Sequence, residues 1–106
     1  MMAGISLAQN TPEERCLSLV NAGEYQKAIE IGNKLIKRNP SNFLAYSCLA
    51  YAYYSLGDLK SSLKYAQKME RLAKNDDELG VAYNRLGLAY HKIGDLDNAF
   101  FIIANN

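Results

Sequence analysis

Apolar residues recur along the chain at the spacing of an α-helix. One set comprises Tyr46, Leu49, Ala50 and Tyr53, which stand at positions i, i+3, i+4 and i+7. The same spacing returns further along the chain in Tyr83, Leu86, Gly87 and Tyr90. Each set predicts a helix that carries one apolar face.

Three short segments around Gly23, Gly57 and Gly94 resemble one another, at intervals of 34 and 37 residues. In each, the glycine follows an apolar residue and precedes an acidic residue and a bulky apolar one. Glycine adopts the left-handed conformation that ends a helix, and an acidic residue favours the start of the next. The pattern therefore predicts six helices, with turns between paired helices at these three glycines. Ala28, Ser62 and Ala99 follow at equivalent positions, where a small residue permits close helix packing.

Polar residues and prolines mark the other helix boundaries. Thr11 followed by Pro12 and Glu14 predicts a helix start, as do residues 75–77, whereas Asn39 and Pro40 predict a helix end. We therefore expect a flexible segment at residues 1–8 and one domain at residues 9–106. Its repeat units span about residues 9–42, 43–79 and 80–106.

These motifs resemble the tetratricopeptide repeat family, whose units carry an aromatic residue, Leu-Gly/Ala-x-x-Tyr, a Gly-acid turn, a small residue and a closing proline. The resemblance implies an all-α fold, a short right-handed α-solenoid of three helix-turn-helix units, the last one truncated. Stacked units share one core because no unit buries its apolar face alone. Arg15 and Lys74 depart from the family pattern, at an apolar position and at the closing proline.

The family resemblance also implies a function, namely protein–protein interaction through a groove lined by the first helix of each unit. Tyr51 and Tyr54 lie off the apolar stripe, where they suit either recognition or packing on neighbouring helices. One subclass of the family grips acidic chaperone tails, but only Arg85 matches its clamp, so that ligand is not expected. The predicted peptide-binding residues are Ser47, Tyr51, Tyr54, Asn84, Arg85, Leu88 and His91.

Four consecutive large apolar residues, Phe100, Phe101, Ile102 and Ile103, stand near the end of the chain. Phe101 takes the register of Glu30 and Lys64, which are residues typical of a solvent-facing position. The cluster predicts self-association into a homo-oligomer through the C-terminal helix, unless it results from truncation of a longer array. The alternative function is therefore a purely structural self-assembly module with no separate peptide ligand.

Composition argues against several other functions. The formal net charge of +1 gives no reason to expect nucleic acid, and no apolar run reaches the length of a membrane span. His91 is the only histidine, and no catalytic triad, phosphate loop or metal-ligand set is evident. No enzymatic activity, cofactor or metal is expected. The lysine-rich stretch at residues 60–74 is interpreted as the solvated face of a helix.

Two features bear on the cellular compartment. Cys16 and Cys48 lie in apolar helical patterns and are predicted to be buried free thiols, although a disulfide requires only that their Cα atoms approach within about 7 Å. Small residues near Gln9 resemble the end of a signal peptide, but the preceding apolar stretch is short. The expected localisation is cytoplasmic, with an exported protein as the alternative.

Overall fold

The computed structural model describes the backbone of residues 11–104 and the side chains of residues 11–97. This part of the chain contains helices and no β-strand. The helices are α1 (Pro12–Asn21), α2 (Tyr25–Arg38), α3 (Phe43–Leu56), α4 (Leu59–Leu72) and α5 (Asp76–Ala104). Helices α1 and α2 form one antiparallel pair and α3 and α4 a second, and α5 packs against both helices of the second pair.

Side-chain caps begin the helices where the sequence predicts them. The Thr11 hydroxyl accepts a hydrogen bond from the Glu14 amide at 3.1 Å, and Pro12 occupies the first turn. The Asp58 carboxylate accepts from the Ser61 amide at 3.2 Å. Asn75 accepts from the Glu78 amide at 2.8 Å. Each cap satisfies an amide group that the helix itself leaves without a partner.

Gly23 and Gly57 make the two predicted turns. Their φ angles are +82° and +86°, in the left-handed region that glycine adopts without a steric penalty. After Gly57, the Asp58 amide donates to the Tyr53 carbonyl at 2.9 Å and closes the end of α3. The turns let α2 and α4 fold back against α1 and α3.

The third predicted turn, at Gly94, is wrong. Helix α5 runs without interruption through this residue, so the described chain has five helices rather than six. Gly94 has no positive φ angle, and Asp95 lies within the helix instead of capping a new one. Glycine permits both backbone conformations. A turn is therefore stabilised only when the following segment packs back, and residues 95–104 instead extend the same helix.

Replacement of Gly57 by Val is expected to lower the free energy of unfolding by about 1–3 kcal/mol, because a β-branched residue is strained at positive φ. Gly94→Val is the matched control, since a helical backbone imposes no such strain and the change should stay within about 0.5 kcal/mol. Urea denaturation followed by circular dichroism measures both. Equal losses for the two variants would contradict the difference between these glycines.

Close helix approach accounts for the small residues of the core. Ala28 and Ser62 are buried, and the Ser62 hydroxyl donates to the Ala50 carbonyl at 2.8 Å. Gly32 of α2 faces the fully buried Leu49 of α3, and a Cβ on Gly32 would lie 2.7 Å from the Leu49 Cγ. The absence of a side chain at position 32 therefore sets the distance between these helices.

The two cysteines form a disulfide between α1 and α3, so the prediction of free thiols is wrong. Cys16 and Cys48 are both fully buried, and their Cα atoms are 6.1 Å apart. That separation lies within the range that a disulfide requires. The apolar helical pattern predicts that the cysteines are buried, and a buried cysteine can be either a thiol or half of a disulfide. The pairing depends on how neighbouring repeat units stack.

The apolar stripe of α5 is only partly buried. Leu86 is buried as predicted, but the side chains of Tyr83 and Tyr90 are each 53% exposed. Their counterparts in α3 differ, because Tyr46 is 6% exposed and Tyr53 is half-buried. Helix α4 covers Tyr46 and Tyr53 with Tyr65, whereas in the described residues no helix occupies the corresponding place on α5.

Candidate functional site

The side chain of Arg85 on α5 joins the predicted binding residues of two helices. Its Nη2 atom donates to the Ser47 hydroxyl of α3 at 3.3 Å, and Nη1 donates to Asn84 Oδ1 at 2.9 Å. The guanidinium carbon lies 4.8 Å from the centroid of the Tyr51 ring. This geometry is a cation–π contact, and it holds the guanidinium plane at the junction of α3 and α5.

Two tyrosines extend the site along α3. The rings of Tyr51 and Tyr54 are stacked, with centroids 6.1 Å apart and an interplanar angle of 11°. Both side chains are half-buried. Tyr51 packs against the core that α1, α2 and α3 share, and part of each ring is accessible to solvent. Packing of Tyr51 is therefore observed, whereas recognition by the two rings stays a prediction.

The electrostatics of the site are dominated by the Arg85 charge. Burial lowers the pKa of the guanidinium, and the neighbouring Tyr51 partly opposes that change. The group nevertheless stays protonated at neutral pH, because the pKa of arginine lies far above 7. Its Nε atom is buried and makes no hydrogen bond within the part of the chain that the structure describes. The site thus carries a positive charge that Ser47, Asn84 and Tyr51 satisfy only in part.

The remaining predicted residues lie further along α5. Leu88 is half-buried, one turn beyond Asn84 and Arg85. His91 is exposed, and its Nε2 atom lies 3.5 Å from the Asp95 carboxylate. Ser47 is 3% exposed, so it orients Arg85 rather than offering surface of its own. We refer to Tyr51, Tyr54, Asn84, Arg85, Leu88 and His91 as the α3–α5 surface.

The predicted self-association residues Phe100, Phe101, Ile102 and Ile103 lie within the span of α5, but their side chains are outside the described residues. The last apolar residue with a described side chain is Leu96, which is 58% exposed.

The lysine-rich helix is α4, and it contributes to a second surface away from Arg85. A shallow cleft beside it is lined by Ile36, Tyr46, Lys64, Tyr65, Lys68 and Arg71. Lys64 lies over the Tyr65 ring, 5.5 Å from its centroid, while remaining exposed. Lys60, Arg71 and Lys74 are also exposed, as the interpretation of a solvated helix face requires.

Among the side chains of residues 11–97, no group of three or more histidine, cysteine or acidic residues is arranged to hold a metal ion. None of the helices described combines the length and the apolar character needed to cross a membrane.

Sequence reasoning missed the disulfide, although a signal for it existed. The two cysteines are 32 residues apart, close to the 34-residue repeat interval. Both lie on the first helix of a unit, and the first helices of adjacent units pack side by side in a repeat stack. A spacing near one repeat length therefore favours contact between the two side chains.

The helical hairpins, their shared core and their repeated glycine turns define a helical-repeat protein. A family model of the tetratricopeptide repeat matches residues 81–103. No curated protein and no solved structure matches the chain. The match covers less than half of the chain and, together with the helical fold, shows similarity to that repeat. Proteins of this family generally act as interaction modules rather than enzymes.

Proposed function

We propose that the chain binds a peptide or a partner helix on the α3–α5 surface. The observation that carries the proposal is the half-buried Arg85, held by Ser47 over the face of Tyr51. Tyr51 and Tyr54 add a stacked pair of rings beside it. Tyrosine and arginine are the residues most often responsible for binding energy at protein interfaces, and orientation before binding reduces the entropy lost on association.

The chemistry of the surface indicates what kind of segment fits it. The two tyrosine rings favour apolar or aromatic side chains, and Leu88 extends that apolar area along α5. Exposed Asn84 and His91 supply polar groups at the margin, as is usual at the edge of an interface. A short amphipathic segment with one hydrogen-bond acceptor for Arg85 matches this arrangement.

Tyr54→Ala is expected to weaken peptide binding at least tenfold with little effect on the melting temperature, because Tyr54 presents ring surface without a described interhelical hydrogen bond. Arg85→Ala is expected to weaken binding as strongly but also to lower stability, since Arg85 links α5 to Ser47. The probes are peptides selected from a random displayed library on the wild-type protein, then titrated by isothermal calorimetry.

Tyr83→Ala is the matched control, because Tyr83 is an equally large side chain exposed on another face of α5. Its variant should bind the selected peptides with wild-type affinity. If Tyr54→Ala and Arg85→Ala both retain full affinity for every selected peptide, the α3–α5 surface is not the binding site.

The disulfide supports a proposal about compartment as well. Disulfides persist in oxidising compartments and are rare in the cytosol. The Cys16–Cys48 bond therefore favours the exported alternative over the cytoplasmic localisation expected from the sequence. Alkylation of intact protein isolated from its own cells, followed by mass spectrometry, distinguishes the two, because only a protein held in the cytosol would carry two alkylated thiols.

Self-association through the C-terminal helix remains a prediction, as does the purely structural alternative. The feature that favours self-association is the exposure of Tyr83, Tyr90 and Leu96 on α5.

A further inference from the structure

One face of α5 carries large apolar side chains that no described element covers. Tyr83 and Tyr90 are each 53% exposed, and Gly87, which lies between them on the same face, is exposed too. A Cβ on Gly87 would contact nothing within 4 Å. We call these three residues the tyrosine face. Large apolar side chains at the core positions of a helix are normally covered by a neighbouring element. Within the described residues, this face therefore lacks a partner.

The second repeat unit shows what covers such a face. There, α4 folds back over α3 and places Tyr65 beside both Tyr46 and Tyr53, with ring centroids 6.0 and 5.7 Å away. Leu59, at the start of α4, is 9% exposed. In the first unit, Ile31 of α2 takes the Tyr65 register and, like Leu19 of α1, packs against the core.

The third unit contains counterparts of both α3 and α4, but they form one continuous helix, α5. In the 37-residue register, Tyr83 and Tyr90 align with Tyr46 and Tyr53, whereas Leu96 aligns with Leu59. The family match at residues 81–103 spans both parts, as a helix pair would. Because α5 is a single 29-residue helix, about 44 Å long, its second part cannot lie against its own first part.

We propose that a second copy of this chain covers the tyrosine face. In this arrangement, residues 95–104 of each protomer pack on the tyrosine face of the other, in the position that α4 takes on α3. Leu96 is 58% exposed and its counterpart Leu59 is buried, which is the difference expected of a segment displaced from its packing site. Reciprocal exchange buries both the tyrosine face and Leu96 of each protomer, and it closes the assembly about a two-fold axis.

The arrangement commits to a second copy because each chain presents both halves of the contact. An unrelated helix would cover the tyrosine face but leave Leu96 exposed. The proposal makes specific the self-association predicted from the sequence. It does not depend on peptide binding, because the tyrosine face lies on a different side of α5 from the α3–α5 surface.

Light scattering after size-exclusion chromatography tests the exchange on the full 106-residue chain. The wild type is expected to dimerise at micromolar concentrations. Leu96→Glu and Tyr83→Glu should each weaken the dimer about a hundredfold or more, since the dimer contains the altered contact twice. Lys37→Glu is the control, because Lys37 is exposed on α2, a helix that does not contact α5 in the described residues.

Mixing the two disruptive variants tests reciprocity. A heterodimer of Tyr83→Glu and Leu96→Glu chains retains one wild-type contact, whereas either homodimer retains none. We therefore expect the mixture to form heterodimers at concentrations where each variant alone is monomeric. Dimers that survive both substitutions, or a mixture no more associated than its components, would overturn the exchange.

Gly94→Ala separates a second copy from closure within one chain. Alanine favours a continuous helix over glycine and is strained at positive φ. Because α5 is continuous in the described chain and in the exchanged dimer alike, the substitution should leave the dimer at least as strong as that of the wild type. A wild type that is monomeric at 100 µM, or a dimer weakened by Gly94→Ala, would show that residues 95–104 fold back on their own chain or leave the face uncovered. Peptide affinity measured on Leu96→Glu distinguishes this failure from a failure of the α3–α5 surface.

Discussion

Removal of the disulfide by the double replacement Cys16→Ala and Cys48→Ala is expected to lower the free energy of unfolding by about 3–4 kcal/mol. The bond joins residues 32 apart in sequence and therefore restricts the unfolded chain over almost a third of its length. The entropy of closing a loop of this size accounts for a loss of that order. The two sulfurs are also fully buried, so their removal leaves a small cavity between α1 and α3.

Denaturant unfolding with and without a reductant measures this contribution. The wild type should lose most of its extra stability when it is unfolded and refolded with the reductant present, because the buried bond becomes accessible only on opening. The double alanine variant is the control and should be insensitive to reductant. A wild type equally stable under both conditions would mean that the cysteines are free thiols, as their sequence context suggested.

Truncation of Leu49 to alanine is expected to lower the free energy of unfolding by about 2–5 kcal/mol, because Leu49 is fully buried in the core that α1, α2 and α3 share. Gly32→Ala is expected to cost about 1–3 kcal/mol, although alanine is the better helix former. The new Cβ would lie 2.7 and 2.8 Å from the Cγ and Cδ2 atoms of Leu49, closer than carbon atoms can approach.

The double variant tests whether these two effects share one cause. With Leu49 shortened, the Cβ at position 32 has room, so the combined loss should be smaller than the sum by at least 0.5 kcal/mol. Gly80→Ala is the matched control, because its helical position is open and the change should stabilise the protein by up to about 1 kcal/mol. Additive losses at positions 32 and 49 would contradict the direct contact.

Local signals allowed much of the fold to be predicted from sequence. The caps at Thr11, Asp58 and Asn75 and the turns at Gly23 and Gly57 depend on residues close together in the chain. The hydrogen bonds that begin or end a helix involve neighbouring residues, so these boundaries can be predicted without the tertiary structure. The family resemblance follows from the same local motifs, and the match at residues 81–103 supports it.

The candidate site was predictable only in part. Spacing along the helices placed Tyr51, Tyr54 and Arg85 off the apolar stripe, but helical periodicity gives no distance between two helices. The contact of Arg85 with Tyr51 and Ser47 depends on how α5 packs against α3. Whether Ser47 offers surface or only orients Arg85 was likewise set by its burial.

The repeat sequence by itself determined the helical class and the boundaries of the first two helix pairs, and it predicted candidate residues for a binding surface. Tertiary structure decided the disulfide and the conformation at Gly94. Cys16 and Cys48 pair because two repeat units stack, which brings distant residues together. Gly94 has the same local sequence signals as Gly57, yet its backbone stays helical. Glycine accepts both conformations, so the choice depends on the free energy of packing the following segment rather than on the residues at the turn.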